Sequence, residues 1–268
     1  MREARKYFLI PYMIWVIFFI ILPLVLIFYS SFLDFDGKFT LDNYRHFLTG
    51  TYLQMTLTSF LYAFIITFFC LVIAYPVALA IRRTRNKQFW LLLIILPTWI
   101  NLLLKTYAFI GILSKEGTVN DVLSFLHLPN AQLLFTSAAF IIVSIYIYIP
   151  FMILPIFNSM DAIPDNLIQA SRDLGADRWT TFRKVIMPLS FEGVKTGIQI
   201  TFIPALSLFM ITRLIAGNKV VNLGTAIEEQ FLVTQNYGMG STIAVFLILA
   251  MALVMILTKQ SESEGRSR

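Results

Sequence analysis

Between two long apolar runs stands QASRDLGADRWTTFRKVIMP, Gln169 to Pro188. Arg172, Asp173, Asp177, Arg178, Arg183 and Lys184 crowd both signs of charge into this one block. Side chains of these types pair with charge and form hydrogen bonds to a partner surface. Motifs for nucleotide or hydrolytic chemistry are missing. The sequence has no G-x-x-x-x-G-K-[ST] stretch to cradle ATP and no H-E-x-x-H pair to hold zinc. GMGS, Gly238 to Ser241, has a faint look of an intramembrane serine protease, but that mechanism needs a histidine base inside the membrane. The two histidines, His46 and His127, lie in polar connections and read as solvated loop residues. Cys70 is the single cysteine, which excludes an internal disulfide and a cysteine-rich metal site. The chain is not read as an enzyme, and no cofactor of its own is expected.

A second group of candidates sits inside the apolar runs, where polar residues count as functional by default. ILPTWINLLLKTYAF carries Trp99, Asn101, Lys105 and Tyr107 behind Pro97. Bent or broken spans often line a substrate path. The alternative is a simple kink, with Lys105 snorkelling to the outer interface. YIYIPFMILP adds Tyr146 and Tyr148, and a later run adds Thr201, Ser207 and Phe209. Trp99, Asn101, Tyr107, Tyr148, Thr201 and Phe209 are the candidates for a path. Thr201 and Ser207 can equally bond to their own helix backbone. No carboxylate lies deep in any apolar run.

The elements that position these groups must be membrane elements. Of 268 residues, 58% are hydrophobic and 13% charged, against about 45–50% and about 25% in soluble domains. Six runs reach the roughly 20 residues that a crossing needs: 8–30, 56–81, 89–113, 135–158, 190–212 and 239–258. The expected fold is all-α, a single transmembrane domain over 1–268 with six transmembrane helices and both termini cytoplasmic. In that orientation fifteen of the 21 Lys and Arg residues face the cytoplasm, as the positive-inside rule asks. The formal charge of +6 is explained in this way and does not point to nucleic acid. The first run is too long for a signal-peptide core, and no small-x-small cleavage site follows it.

The charged block then falls in the inner connection 161–188. Asp161 is expected to cap a helix with Pro164 in its first turn. Leu167, Ala170, Ser171 and Leu174 recur at i, i+3, i+4 and i+7, giving one apolar-to-small face. Gly175 follows as a left-handed helix stop, and Asp177 reads as the cap of a second helix. Trp179, Phe182 and Ile186 make its stripe, and Pro188 limits its end. The block reads as two short helices hinged at a glycine, lying against the inner membrane face. Outside, SFLDFDGKFTLDNYRHFLTG, EGTVNDVLSFLHLPNAQLL and NLGTAIEEQFLV read as structured pieces, either a cap over the bundle or a contact for an external partner.

The inner block resembles the EAA loop of ABC importer permeases. That pattern is E-A-A, three residues, G, nine residues, I-x-L-P. QAS stands at 169–171, Gly175 at the glycine, Val185 at the isoleucine and Met187–Pro188 at L-P. Gln169 replaces the usual Glu and so drops a charge while keeping hydrogen-bonding ability. With LDNYRHFL, LPTWINLLLKTYAF and FIPALSLFMITRLIAG, the chain as a whole is similar to the PotB-like permeases of spermidine/putrescine importers.

The resemblance implies a binding-protein-dependent importer in the bacterial plasma membrane. A second, PotC-like permease completes the path. Two PotA-like ATP-binding subunits hold ATP and magnesium, and an external PotD-like protein delivers polyamine. It also implies an ATPase-coupling role for Gln169, Ala170, Ser171, Arg172, Asp173, Gly175, Ala176, Arg178, Phe182 and Pro188. Membrane lipid surrounds the whole. A polycation would seek carboxylates or aromatic faces, and this chain supplies the faces without deep acids. An importer for another small solute (an amino acid, an anion or an iron complex) stays open on the sequence, as does a membrane scaffold without transport.

Overall fold

The computed structural model describes residues 10–258. Apart from one isolated antiparallel bridge between Leu33 and Phe39, every regular element described is helical. In chain order these are α1 (Ile10–Ser30), α2 (Asp42–Phe47), α3 (Gly50–Arg83), α4 (Lys87–Trp99), α5 (Leu102–Leu113), α6 (Thr118–Phe125) and α7 (Ser137–Asp161). Then come α8 (Asp165–Asp173), α9 (Arg178–Thr181, continuing through Phe182–Ile186 and Met187–Leu189), α10 (Phe191–Leu206), α11 (Thr212–Ala216), α12 (Leu223–Glu228, continuing through Glu229–Val233) and α13 (Tyr237–Leu257).

The centre of the molecule is the mutual packing of α3, α7 and α10. Ala63, Ile66, Cys70, Ala74 and Ala78 of α3 are buried and recur every three or four residues, so they form one stripe. α10 answers with small residues at the same period: Gly193, Gly197 and Thr201 are buried. Small side chains let membrane helices approach closely, because packing rather than water drives their association. A Cβ on Gly193 would collide with the Pro155 carbonyl and stand 2.6 Å from Ser159 Cβ. Pro150 and Pro155 lie within the unbroken α7. By contrast, α1 buries none of its residues and leans on α13. Its apolar surface needs lipid or another subunit to cover it.

Four described helices, α1, α3, α7 and α13, are long and apolar enough to cross a membrane, and a bent pair would make a fifth. The run 89–113 is therefore not one straight helix. It breaks after Trp99, and Lys87–Trp99 and Leu102–Phe125 stand at 91°. Pro97 sits in a tight turn there, and Asn101 restarts the chain by accepting the Leu103 N–H at 2.8 Å. The run 190–212 also differs from the expected span. α10 stops at Leu206, two residues past Pro204. Its 16 residues reach roughly 24 Å at 1.5 Å per residue, short of the roughly 30 Å hydrocarbon core.

A buried polar knot follows instead. Asn222 Nδ2 donates to Leu208 O at 2.8 Å and to Thr212 Oγ1 at 2.9 Å, while Asn222 Oδ1 accepts the Thr225 N–H at 2.9 Å. Ser59 Oγ of α3 accepts the Leu223 N–H at 2.8 Å. Non-helical backbone at this depth is tolerated where protein groups satisfy it. Residues 8–9 of the first run, and the terminal cations Arg2, Arg5, Lys6, Lys259, Arg266 and Arg268, lie outside the described residues.

Candidate coupling site

α8 and α9 form a knob at the end of the bundle where α3 and α7 finish. α7 runs on to Asp161, so Asp161 is not the cap of α8. Its carboxylate instead pairs with Lys87 at the start of α4. A turn through Ala162 and the buried Ile163 intervenes, and Pro164 takes the position before α8 with φ −60° and ψ 136°. Proline favours that extended geometry and has no N–H to leave unpaired. Arg82, at the end of α3, donates from Nη2 to the Ile163 carbonyl at 2.9 Å and reaches Asp165 Oδ1 at 3.3 Å. The start of the knob is thus tied to the end of α3, while the Lys87–Asp161 pair joins α4 to the end of α7.

The hinge is where the sequence puts it. Gly175 has φ +82°. Its N–H donates to Arg172 O at 2.8 Å, and the Ala176 N–H donates to Ser171 O at 3.1 Å. These are the two bonds of a Schellman stop, which needs a left-handed residue at the glycine position. Asp177 then caps α9, with Oδ1 accepting the Thr180 N–H at 3.0 Å. Hydrogen bonds from the Thr180 side chain and backbone hold the Asp177 carboxyl below the usual aspartate range. A depressed value means the cap is fully charged at neutral pH and is lost only as pH falls through that lowered value. Ser171 Oγ and Thr181 Oγ1 share a hydrogen bond of 3.1 Å that joins the two helices across the hinge.

One side of α9 anchors the knob. Thr181 and Ile186 are buried. Phe182 meets Tyr75 of α3 edge-on, with ring centroids 5.8 Å apart, and stacks on Trp179 at 5.5 Å. The Tyr75 hydroxyl bonds Ser190 Oγ at 2.8 Å. Pro188 does not end α9, which continues to Leu189. The preceding turn is widened, with Met187 N–H reaching back to Phe182 O, and this admits the proline.

The other side is bare. Leu174 is 88% exposed, Trp179 66% and Leu167 44%. Gln169, Ala170, Arg172, Asp173 and Arg178 are exposed around them, while Ser171 and Ala176 are half-buried. The apolar face legible in the heptad-like spacing is therefore real but uncovered, and Ile168 rather than that face turns inward. A cluster of apolar side chains rimmed by polar ones marks an interaction surface.

The six path candidates are differently placed. Trp99 is 74% exposed beside the break, Asn101 caps α5, and Tyr107 is exposed on α5. Tyr148 is half-buried on α7, and Phe209 is exposed past the end of α10. Thr201 is fully buried and its hydroxyl has no partner among the described residues. Nothing in the sequence marks Arg82 as the tie to the knob or Lys87 as the partner of the end of α7. Their partners Asp165 and Asp161 lie 83 and 74 residues further on, beyond the reach of any local spacing rule.

A helical knob on a bundle of membrane helices matches what the comparisons with known proteins return. The family model described as binding-protein-dependent transport system inner membrane component matches residues 4–264. The chain belongs to that family. Within this inner membrane component family, it is 33% identical over 251 residues to the spermidine/putrescine transport system permease protein PotB of Haemophilus influenzae, covering 90% of this chain and 88% of that protein. It is 34% identical over 252 residues to PotB of Escherichia coli, covering 90% and 92%. Among solved structures, a chain of a bacterial ABC transporter involved in the import of alginate superposes with a TM-score of 0.83 over 96% of this chain and 94% of that one. At 17% identity, that likeness shows the permease fold. The chain is accordingly a multi-pass membrane component of a binding-protein-dependent transport system.

Proposed function

We propose that this chain is the PotB-type permease of an ATP-driven polyamine importer. The observation that carries the reading is the exposure of Leu174 and Trp179 on a glycine-hinged knob, in a chain one-third identical to spermidine/putrescine permeases over nine-tenths of its length. In this reading the polypeptide crosses the membrane six times with both termini inside. A second, PotC-like permease covers the bare apolar length of α1 and its neighbours and completes the path. Two PotA-like subunits bind ATP and magnesium, and a PotD-like binding protein delivers spermidine or putrescine outside.

The 161–188 loop is the coupling element. Leu174 and Trp179 enter a groove on the ATPase, with Arg172, Asp173 and Arg178 making rim contacts. The close seam of α7 and α10 carries ATPase closure into the bundle as a lever, which alternates access to the path. Trp99, Asn101, Tyr107, Tyr148, Thr201 and Phe209 remain our proposed path residues. Because this chain supplies aromatic faces without deep acids, the carboxylates for a polycation come from the partner permease and the binding protein.

Leu174→Asp tests the loop's role. The side chain is 88% exposed, so the substitution leaves folding and insertion unchanged. It places a charge where an apolar partner surface is proposed, and uncompensated burial of a carboxylate costs several kcal/mol. Co-purification of the ATPase should fall at least tenfold. Undiminished recovery of the ATPase with Leu174→Asp argues against docking through this face.

A further inference from the structure

We propose that the cavity beneath α8 is a binding site for a phosphate-bearing anion, the headgroup of an acidic membrane lipid. The cavity has a volume of about 480 Å3 and lies between the ends of α3 and α7 and the α8–α9 knob. Arg82, Arg83, Lys87, Arg172 and Arg178 all line it. Two carboxylates share the lining, and both are engaged: Asp161 pairs with Lys87, and Asp165 with Arg82. Arg83, Arg172 and Arg178 form no ion pair among the described residues. The lining thus carries five cationic side chains against two carboxylates, and three guanidinium groups border one concave polar space without an ion-pair partner of their own among the described residues. Their planar forks suit the bidentate geometry of a phosphate, and a bound anion removes their mutual repulsion.

A second cleft, of about 320 Å3, indicates where that phosphate comes from. Leu79, Trp179 and Phe182 line it together with Arg83 and Arg178, the same two arginines that border the first cavity. The guanidinium groups thus stand at the boundary between a polar cavity and an apolar, aromatic cleft. An amphiphile fills both, whereas free phosphate fills only the first. Leu79 lies one turn above Arg82 and Arg83, where α3 leaves its apolar run, which is headgroup depth. Basic pockets at the inner ends of membrane helices recruit anionic headgroups in this way. Gln169 also lines the cavity, and its neutrality leaves the basic excess intact. The site borders the proposed ATPase contact, with which it shares Arg172, Arg178 and Trp179, and it does not depend on the transported solute.

The test uses the assembled transporter, delipidated in detergent and titrated separately with phosphatidylglycerol and with inorganic phosphate. Ligand bound to this chain is counted by native mass spectrometry. Wild-type protein should retain phosphatidylglycerol, and Arg83→Gln should weaken that binding at least tenfold. Gln169→Glu, which adds a carboxylate to the cavity at nearly constant shape, should weaken it severalfold. Arg85→Gln removes a nearby cation that lines neither space and should leave it unchanged. Binding of inorganic phosphate with the same dependence on Arg83, and no retention of lipid, keeps the anion site and assigns it to free phosphate. Equal losses in Arg83→Gln and Arg85→Gln, or no loss in Arg83→Gln, overturn the site.

Discussion

Replacing Gly175 with valine is expected to strip the transporter of its ATPase while leaving the permease in the membrane. A Cβ at Gly175 meets nothing within 4 Å, so the effect is not steric crowding by neighbours. It arises from φ +82°, where an ordinary L-residue costs roughly 1–2 kcal/mol and a β-branched one fits worst. The local escape is to let α8 continue in right-handed geometry. That route breaks the Arg172 and Ser171 carbonyl bonds of the stop and pulls Ser171 away from Thr181. The knob then presents Leu174 and Trp179 at a different angle. Gly175→Asn is the informative control, because asparagine tolerates the left-handed region. ATPase co-purification should fall at least tenfold for valine and remain near wild type for asparagine. Wild-type recovery of the ATPase with the valine variant would speak against the hinge.

The second large effect is expected at Gly193, on the seam between α7 and α10. Here the new side chain meets the Pro155 carbonyl and the Ser159 Cβ, atoms that cannot rotate away. Overpacking of this kind costs about 1–3 kcal/mol and occasionally more, and leucine adds further bulk to a contact with no room for one methyl. Gly193→Leu should abolish the monodisperse, thermally stable species seen by fluorescence-detected size exclusion. Gly197→Ala offers a contrast one turn on. Its Cβ would stand 2.6 Å from Met152 Sδ, in a flexible side chain, and no closer than 3.3 Å to a backbone atom, the Met152 carbonyl oxygen. Methionine adapts, so that variant should melt within a few degrees of wild type. Equal losses at both positions would mean that backbone contact is not what makes Gly193 essential.

How much of this was legible beforehand depended on whether the signal was local. Gly175 and Asp177 were readable because a left-handed stop and an N-cap are set by neighbouring residues alone. The membrane class followed from composition, and α3, α7 and α13 from uninterrupted apolar length. The break at Trp99–Asn101 falls in the run that its proline and polar residues mark as bent or kinked, whereas the stop after Leu206 departs from the expected span, and hydropathy alone sees an unbroken run at both. Pro97 and Pro204 were visible there, but α7 holds Pro150 and Pro155 without breaking. What decides between bend and continuation is whether tertiary partners satisfy the freed backbone, as Asn222, Thr225 and Ser59 do beyond α10. Those partners come from distant segments.

Asp161 departs from the expected cap for a related reason. Its carboxylate has the right type for a cap but serves Lys87, a residue 74 positions away in the chain. In the coupling face, spacing identified Leu167, Ala170, Ser171 and Leu174, yet periodicity does not say whether such a stripe turns inward or is left for a partner.

The central claim is that this chain works in an ATP-driven polyamine importer, and reconstitution tests it most directly. The permease, its partner permease, the ATPase subunits and the binding protein are placed together in nanodiscs, and ATP hydrolysis is followed with and without solute. The account predicts that spermidine or putrescine raises hydrolysis severalfold, only when the binding protein is present, and that Leu174→Asp removes the rise. Hydrolysis indifferent to both polyamines but stimulated by an amino acid, an anion or an iron complex would contradict it.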